Sequence, residues 1–319
     1  MKKSKHILVT GGAGFIGAHL VERLLKEGNR VVVVDDFSTG AAENLSAVQS
    51  HPRLRIVAAK ISACREFSQL AAEAEFIFHL AATVGVDLVV KSALHVLESS
   101  FNETQILLRA AAQNATPLLL TSTSEVYGKS AKPEFSEDDD LLIGPPGHAR
   151  WSYACSKLTD EFLALAYARE KNLPVIIVRL FNTVGPRQTG RYGMVLPRFI
   201  AAAKQNQPLR VFGDGQQSRC FGFVHDVVEA LLRLQQCAAA RGQVFNIGGT
   251  EEVSMLELAK LVVKALGSKS PIELIPYDQA YAPGFDDMRR RKPRVEKLEQ
   301  FVKFHPRTSL RDIIRLTAA

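Results

Sequence analysis

Short apolar runs recur along the chain up to Leu180, and most are followed by a polar turn and a stretch with helical spacing. His6-Ile7-Leu8-Val9-Thr10 is the first run and predicts a strand. After it, Phe15, Ile16, Leu20, Val21, Leu24 and Leu25 recur at helical spacing. Val31 to Val34 predict a second buried strand, Arg55 to Ala59 a third and Glu75 to Leu80 a fourth. Phe101 to Ala112 reads as a helix with Ile106, Leu107 and Ala110 on its apolar stripe. Leu118-Leu119-Leu120 runs straight into Thr121-Ser122-Thr123-Ser124-Glu125-Val126-Tyr127-Gly128. This is the pattern of a buried parallel strand that delivers hydroxyls and a carboxylate at its carboxyl end, where ligands bind in open α/β sheets. Glu134 to Gly147 is acidic and then rich in Pro and Gly, a surface loop. A helix follows from a Ser152 cap to about Glu170, and Val175 to Leu180 is a further buried strand.

Regular alternation of strand and helix predicts an α/β fold with a doubly wound parallel sheet. After Phe181-Asn182 the texture changes. A glycine-rich basic loop from Gly185 to Arg191 precedes a helix from Leu196 to Lys204. Leu209 to Phe212 and Arg219 to Phe223 read as short strands around a Gly213-Asp214-Gly215 turn. Helices are expected from His225 to Gln236 and from Met255 to Leu266, and Val244 to Ile247 is expected to return to the main sheet. A polar, basic segment runs from Asp286 to Arg294. The expected division is a Rossmann domain over 1–182, joined by about 223–250, and a smaller α/β C-terminal substrate domain over 183–319.

The turn after the first strand is Gly11-Gly12-Ala13-Gly14-Phe15-Ile16-Gly17. Gly11 permits the tight turn, Gly14 lets the backbone approach a pyrophosphate, and Gly17 lets the helix pack on the strand. The helix N-terminus offers free N–H groups to phosphates. Asp35, 24 residues after Gly11, can accept hydrogen bonds from an adenosine ribose and would repel a 2′-phosphate, which favours NAD over NADP. A loop-capping role for Asp35 is the alternative. Small residues at Ala81-Ala82 leave room for the cofactor. His79, inside an apolar strand, reads as a core histidine.

Tyr153 and Lys157 stand four apart, on one helical face. Beside a nicotinamide such a pair is a chemical unit. Lys157 and the ring's positive charge would lower the tyrosine pKa, so Tyr153 can take a proton from a substrate hydroxyl while Thr123 shares the hydrogen bond. The competing reading is an ordinary amphipathic helix with a surface Tyr and Lys.

Composition narrows the partners. The chain has 319 residues, 46% hydrophobic and 23% charged, with a net charge of +7. Aromatic residues do not interleave with basic ones, so the charge points to a basic cleft for a phosphorylated small molecule rather than to nucleic acid. No apolar run approaches a membrane span, and the basic N-terminus leads into a strand rather than a signal peptide. A cytoplasmic protein is expected. Cys64, Cys155, Cys220 and Cys237 have no metal-site spacing and read as reduced thiols.

Together these residues resemble the extended short-chain dehydrogenase/reductases that act on nucleotide sugars. The resemblance rests on Gly11 to Gly17, Asp35, Ala81-Ala82, Thr123 with Tyr153 and Lys157, Asn182, Arg219 with Val224 and Asp226, and Asn246-Ile247-Gly248. It implies tightly bound NAD, oxidation of the sugar C4 hydroxyl to a ketone, chemistry on that ketone and return of the hydride. The implied cofactor contacts are Gly11, Gly14, Phe15, Ile16, Gly17, Asp35, Ser38, Gly40, Ile61, Leu80, Ala81, Ala82, Ser122, Tyr153 and Lys157. The implied substrate contacts are Thr83, Asn182, Arg187, Arg191, Val211, Phe212, Arg219 and Arg291, with Arg290 as rival for the last. The catalytic set is Tyr153, Lys157, Thr123, Ser124 and Glu125. A homodimer, paired through two helices of the nucleotide-binding lobe, is implied as well. Two departures stand out: Lys60-Ile61 replaces the usual aspartate near the adenine, and Arg294 replaces the usual aspartate after the late proline.

Within the family, 4,6-dehydratases carry Asp-Glu at the strand end. Ser124-Glu125 here argues against dehydration. Thr-Ser-Glu before Val-Tyr-Gly, and Arg-Trp-x-Tyr at Arg150 to Tyr153, resemble UDP-glucuronate decarboxylases. Thr189-Gly190-Arg191-Tyr192-Gly193-Met194 resembles the sugar-proximal loop of 4-epimerases, and Thr83 to Val86 and Gly284 to Met288 look epimerase-like too. The sequence favours a 4-epimerase of a UDP-hexose or UDP-hexuronate by a small margin, with UDP-glucuronate decarboxylase as the alternative and a non-catalytic NAD-binding protein as a minor one.

Overall fold

The computed structural model describes residues 4–82, 92–190, 194–280 and 288–319. β1 (His6–Thr10), α1 (Phe15–Lys26), β2 (Arg30–Asp35), β3 (Leu54–Ala58), α2 (Phe67–Glu73) and β4 (Phe76–His79) form the first half of the sheet layer. α3 (Ala93–Gln113), β5 (Leu118–Thr123), α4 (Trp151–Lys171) and β6 (Val175–Leu180) continue it. The sheet has seven parallel strands in the order β3-β2-β1-β4-β5-β6 and then β11 (Gln243–Ile247), which comes from much later in the chain. Strand order reverses between β1 and β4, so the crevice outside their carboxyl ends is where a ligand should lie.

Both faces are covered, which is why the strands read as continuous apolar runs. One face packs on α1 and α6 (Val224–Gln236), with Leu20, Leu24, Val227 and Leu231 buried against Val9, Val33 and Phe245. The other packs on α2, α3 and α4, with Leu70, Leu107 and Ala164 against Leu8, Ile77 and Leu120.

A second core gathers around β7 (Thr183–Val184), α5 (Val195–Lys204), β8 (Leu209–Phe212), β9 (Ser218–Cys220) and β10 (Gly222–Phe223). It also takes in β12 (Glu252–Ser254), α7 (Met255–Leu266) and β13 (Ile272–Ile275), followed by α8 (Tyr277–Ala280), α9 (Glu296–Val302) and α10 (Leu310–Ala318). Of these, α9 sends Leu298 into the first core instead. The strands flanking the Gly213-Asp214-Gly215 turn do not pair with each other: β8 runs parallel to β13 and β9 antiparallel to β12. Local turn chemistry therefore misleads about partners here: each strand pairs with a segment distant in the chain.

Two element boundaries differ from expectation. α3 begins at Ala93, not Phe101; its first turns carry Leu94 and Leu97 on the exposed side, so no inward stripe marks them. Ser152 does not cap α4. Arg150 occupies the cap position, and Ser152 Oγ, already inside the helix, donates to the Ala149 carbonyl at 2.7 Å. β13 and α10 have no counterpart in the sequence-based expectation. α10 buries Leu310, Ile313 and Ile314, a stripe too short to stand out along the chain.

Candidate active site

A cleft of about 780 Å³ runs across the carboxyl ends of β1, β2, β4 and β5 and on to β8. At one end the backbone makes the walls. Gly11 has φ +72°, and a Cβ there would meet Ala81 N at 2.5 Å. A Cβ on Gly17 would lie 2.1 Å from the Gly11 carbonyl oxygen, so α1 could not close on the turn with any other residue. Gly14, Phe15, Ile16, Ser38, Gly40, Ile61, Leu80, Ala81 and Ala82 all line this end.

Asp35 faces the cleft, and its two oxygens accept the N–H groups of Ala13 (2.8 Å) and Phe37 (2.8 Å), which is the loop-capping role. Burial pushes its carboxyl up, and those backbone donors oppose the rise. Each carboxylate oxygen keeps further lone pairs, so ribose hydroxyls can be accepted as well. Free N–H groups at the start of α1, a narrow glycine floor and a carboxylate at the rim fit a dinucleotide.

The centre is built by β5 and α4. Thr123 ends β5 and caps the turn Ser124–Tyr127, accepting the Glu125 N–H at 3.2 Å. Tyr153 enters from the first turn of α4 and is hydrogen-bonded to Thr123. The structure differs from expectation in its electrostatics. Burial pushes the Tyr153 hydroxyl well above the ordinary tyrosine range, and the charges of Glu125 and Asp160 push it further; the Thr123 hydrogen bond opposes them. Lys157 does not offset this, because its Nζ is buried against Asp160 Oδ2 at 3.1 Å.

Glu125 is held by two arginines. Arg291 Nη1 donates to Oε1 at 2.5 Å and Arg150 Nη2 to Oε2 at 3.3 Å. Burial alone would raise its carboxyl, but Arg291, then Arg150 and Arg219, outweigh burial and hold it at about 2. At neutral pH it is a fixed anion that positions guanidinium groups, not a proton donor. Ser124 beside it is buried and also lines the cleft.

At the far end, Asn182, Val211, Phe212 and Arg219 line the cleft. Asn182 Nδ2 donates to the Cys220 carbonyl at 2.9 Å, and Arg219 Nη1 to those of Ser218 and Met288, each at 2.8 Å. Arg187 is differently placed from its assigned role. It reaches back to α1, bonding Glu22 at 2.6 and 3.1 Å, His19 at 2.7 Å and the Asn44 carbonyl at 2.7 Å. Its charge ties the loop after β7 to the nucleotide-binding end, although it still touches the cleft. Ser122 lines the cleft as well, with its hydroxyl turned away to Glu161 at 2.5 Å. Arg290 pairs with Glu252 at 2.7 Å, which leaves Arg291 as the arginine at the site. Thr83 and Arg191, and the Gly284 to Asp287 stretch, lie outside the described residues.

Beneath the floor is a second charge cluster. Arg179 on β6 forks onto Glu161 at 2.8 to 3.2 Å and donates to Tyr127 Oη at 3.0 Å. Tyr127 Oη in turn donates a hydrogen bond to Asn246 Oδ1 at 2.7 Å. The Asn246 backbone N–H then reaches Glu137 at 2.8 Å, and its side-chain amide reaches the Phe135 carbonyl.

Arg150 and Asp160 stand beside the expected site residues without being among them: Arg150 pairs with Glu125, and Asp160 with Lys157. Arg150 is expected only as part of the Arg-Trp-x-Tyr pattern. Asp160 lies three residues after Lys157, on the same helical face, and that spacing was the available signal.

Residues 7–248 match the model of the NAD dependent epimerase/dehydratase family. The chain belongs to that family. Its cofactor is NAD, and its enzyme class is that of the extended short-chain dehydrogenase/reductases. It is similar to the UDP-N-acetyl-alpha-D-glucosaminuronate decarboxylase of Bacillus cytotoxicus, at 41% identity over 306 residues, covering 96% of this chain and 94% of that one. UDP-glucuronic acid decarboxylase 2 of Arabidopsis thaliana is 36% identical over 310 residues, covering 97% of this chain and 66% of that protein. Among solved structures, the UDP-glucuronic acid 4-epimerase of Bacillus cereus, in complex with UDP-glucuronic acid and NAD, superposes with a TM-score of 0.87 at 30% identity, over 98% of both chains. Among the described residues, no helix is long and apolar enough to cross a membrane.

Proposed function

We propose that this enzyme decarboxylates a UDP-hexuronate through a transient 4-keto sugar. The observation that carries the reading is the cage of Arg150 and Arg291 around ionised Glu125, beside Tyr153. An epimerase must let the keto sugar turn over before hydride returns. A rigid charge cluster at the sugar end favours one pose instead, and guanidinium groups suit an anionic sugar. Among the described residues, Arg291 Nε is buried without a protein partner, a donor left for substrate. The 41% identical decarboxylase supports the same reading.

Bound NAD supplies reversible oxidation of the sugar C4 hydroxyl. Tyr153 takes the hydroxyl proton, with Thr123 sharing the hydrogen bond, and Lys157 orients the tyrosine side of the pocket. A 4-keto uronate is a β-keto acid. Its C5–carboxylate bond breaks with the electron pair passing into a C4–C5 enolate, CO₂ departs, and a solvent proton takes its place at C5. The C4 ketone would then take back the hydride, and its oxygen the proton held by Tyr153, which gives the UDP-pentose. The enolate oxygen lies at C4, where the Tyr153 and Thr123 hydroxyls can hold it. Asn182, Arg219 and Arg291 are the proposed contacts to the nucleotide diphosphate and sugar, with Val211 and Phe212 beside the base.

Epimerisation is the second reading, favoured by the close superposition on a UDP-glucuronic acid 4-epimerase. Incubation with UDP-glucuronate, UDP-N-acetylglucosaminuronate and UDP-glucose, with products identified by NMR, separates them. A UDP-pentose with CO₂ release is expected. UDP-galacturonate or UDP-galactose without CO₂ would overturn the decarboxylase reading. We further infer a homodimer through α3 and α4. Leu94, Leu97 and Phe101 share one exposed face of α3, and Phe162 on α4 is 65% exposed.

A further inference from the structure

The catalytic helix carries a carboxylate that the mechanism above does not use. Tyr153, Lys157 and Asp160 stand at positions i, i+4 and i+7 of α4, so all three share a face. Asp160 is fully buried. Its Oδ2 accepts from Lys157 Nζ at 3.1 Å and from Ser100 Oγ of α3 at 2.8 Å. Among the described residues its Oδ1 has no partner. A buried carboxylate is costly unless it is paired and hydrogen-bonded, and the charge that pairs with this one is the lysine beside Tyr153.

We propose that Asp160 is a positioning residue: it fixes Lys157, cancels its charge toward Tyr153, and so makes release of the tyrosine proton depend on the positive charge of bound NAD. This rests on the oxidation step at Tyr153 and is independent of whether the keto sugar then loses CO₂. The groups that face this cluster are few. Glu125 reaches Tyr153 from the end of β5, with Arg150 and Arg291 upon it. His79 on β4 faces Lys157 and is held neutral by burial. Glu161, next in the chain, is bound to Arg179 on the opposite side. None of them pairs with Lys157 in place of Asp160. The direction of the tyrosine's displacement agrees, since Asp160 is one of the two charges that oppose its ionisation.

The test is an ultraviolet titration of the Tyr153 phenolate, referenced to Tyr153→Phe, in NAD-saturated protein without substrate. Asp160→Asn keeps the shape and removes the charge. It should give about tenfold more phenolate at a given pH below the midpoint, since one pH unit is tenfold. Lys157→Met should give less phenolate than wild type. The paired variant Lys157→Met/Asp160→Asn removes one charge of each sign, is the mildest change to folding, and should titrate as wild type does. An unchanged or higher midpoint in Asp160→Asn would overturn the proposal. So would a paired variant that titrates like Lys157→Met alone. Product analysis by NMR is a separate readout, so failure of the decarboxylase reading leaves this result intact.

Discussion

Two carboxylate–arginine clusters flank the end of β5, and they are built for opposite purposes. Glu161 with Arg179 is buried, and the network continues through Tyr127 and Asn246 until nearly every polar atom is matched. Glu125 with Arg150 and Arg291 opens on the cleft and leaves a guanidinium nitrogen over. The chemistry is the same in both. Completeness of hydrogen bonding separates them: a matched buried network specifies a fold, and an unmatched one at a cleft is ready for a ligand. The strand that carries Ser122 to the first cluster carries Thr123 to the second, because successive strand side chains point to opposite faces.

Substitutions should divide along that line. The largest effect belongs to the centre. Tyr153→Phe should lower turnover by about 10³-fold while NAD stays bound, read as product by NMR and nucleotide content of the purified protein. A fully active variant would remove Tyr153 from its role. Next, Arg179→Leu strands the Glu161 charge in the core and should cost about 3–5 kcal/mol in urea unfolding. Arg291→Gln should weigh the other way, lowering turnover by about 100-fold while costing less stability than Arg179→Leu, because Arg150 still pairs with Glu125. If the two variants lost stability equally, the contrast between the clusters would fail.

Acid gives a finer probe. The Glu125 carboxyl is depressed to about 2 from an ordinary value of 4.5. Its contribution to stability is therefore complete above about 4.5 and is lost as pH falls through about 2. Urea unfolding across that window should show a steeper loss for wild type than for Glu125→Gln. Parallel curves would mean that the arginines do not hold the carboxylate as described. The mildest effect is expected at Phe162→Glu, which should leave the fold intact and shift a dimer to monomer in analytical ultracentrifugation.

The glycine turn, Asp35, the seven-stranded alternation and the Tyr153–Lys157 pair were legible in the chain because each depends on near neighbours. A glycine that must meet a helix, a strand buried on both faces, or two residues one turn apart leaves a local mark. Pairing across distance leaves none. That is why β8 and β9 went to partners other than each other, why Arg187 turned back to Glu22, and why Ser122 faced Glu161. The sequence by itself determined a dinucleotide fold, with Tyr153 and Lys157 one turn apart on the helix that follows its fifth strand. Tertiary structure decided the charges around that tyrosine. Arg291 comes from 166 residues beyond Glu125, and Ser100 joins Asp160 from another helix. An electrostatic environment is a sum over everything nearby in space, so the strand-end Ser124-Glu125, conspicuous in the chain, acquired its meaning only once folding had brought two arginines to it.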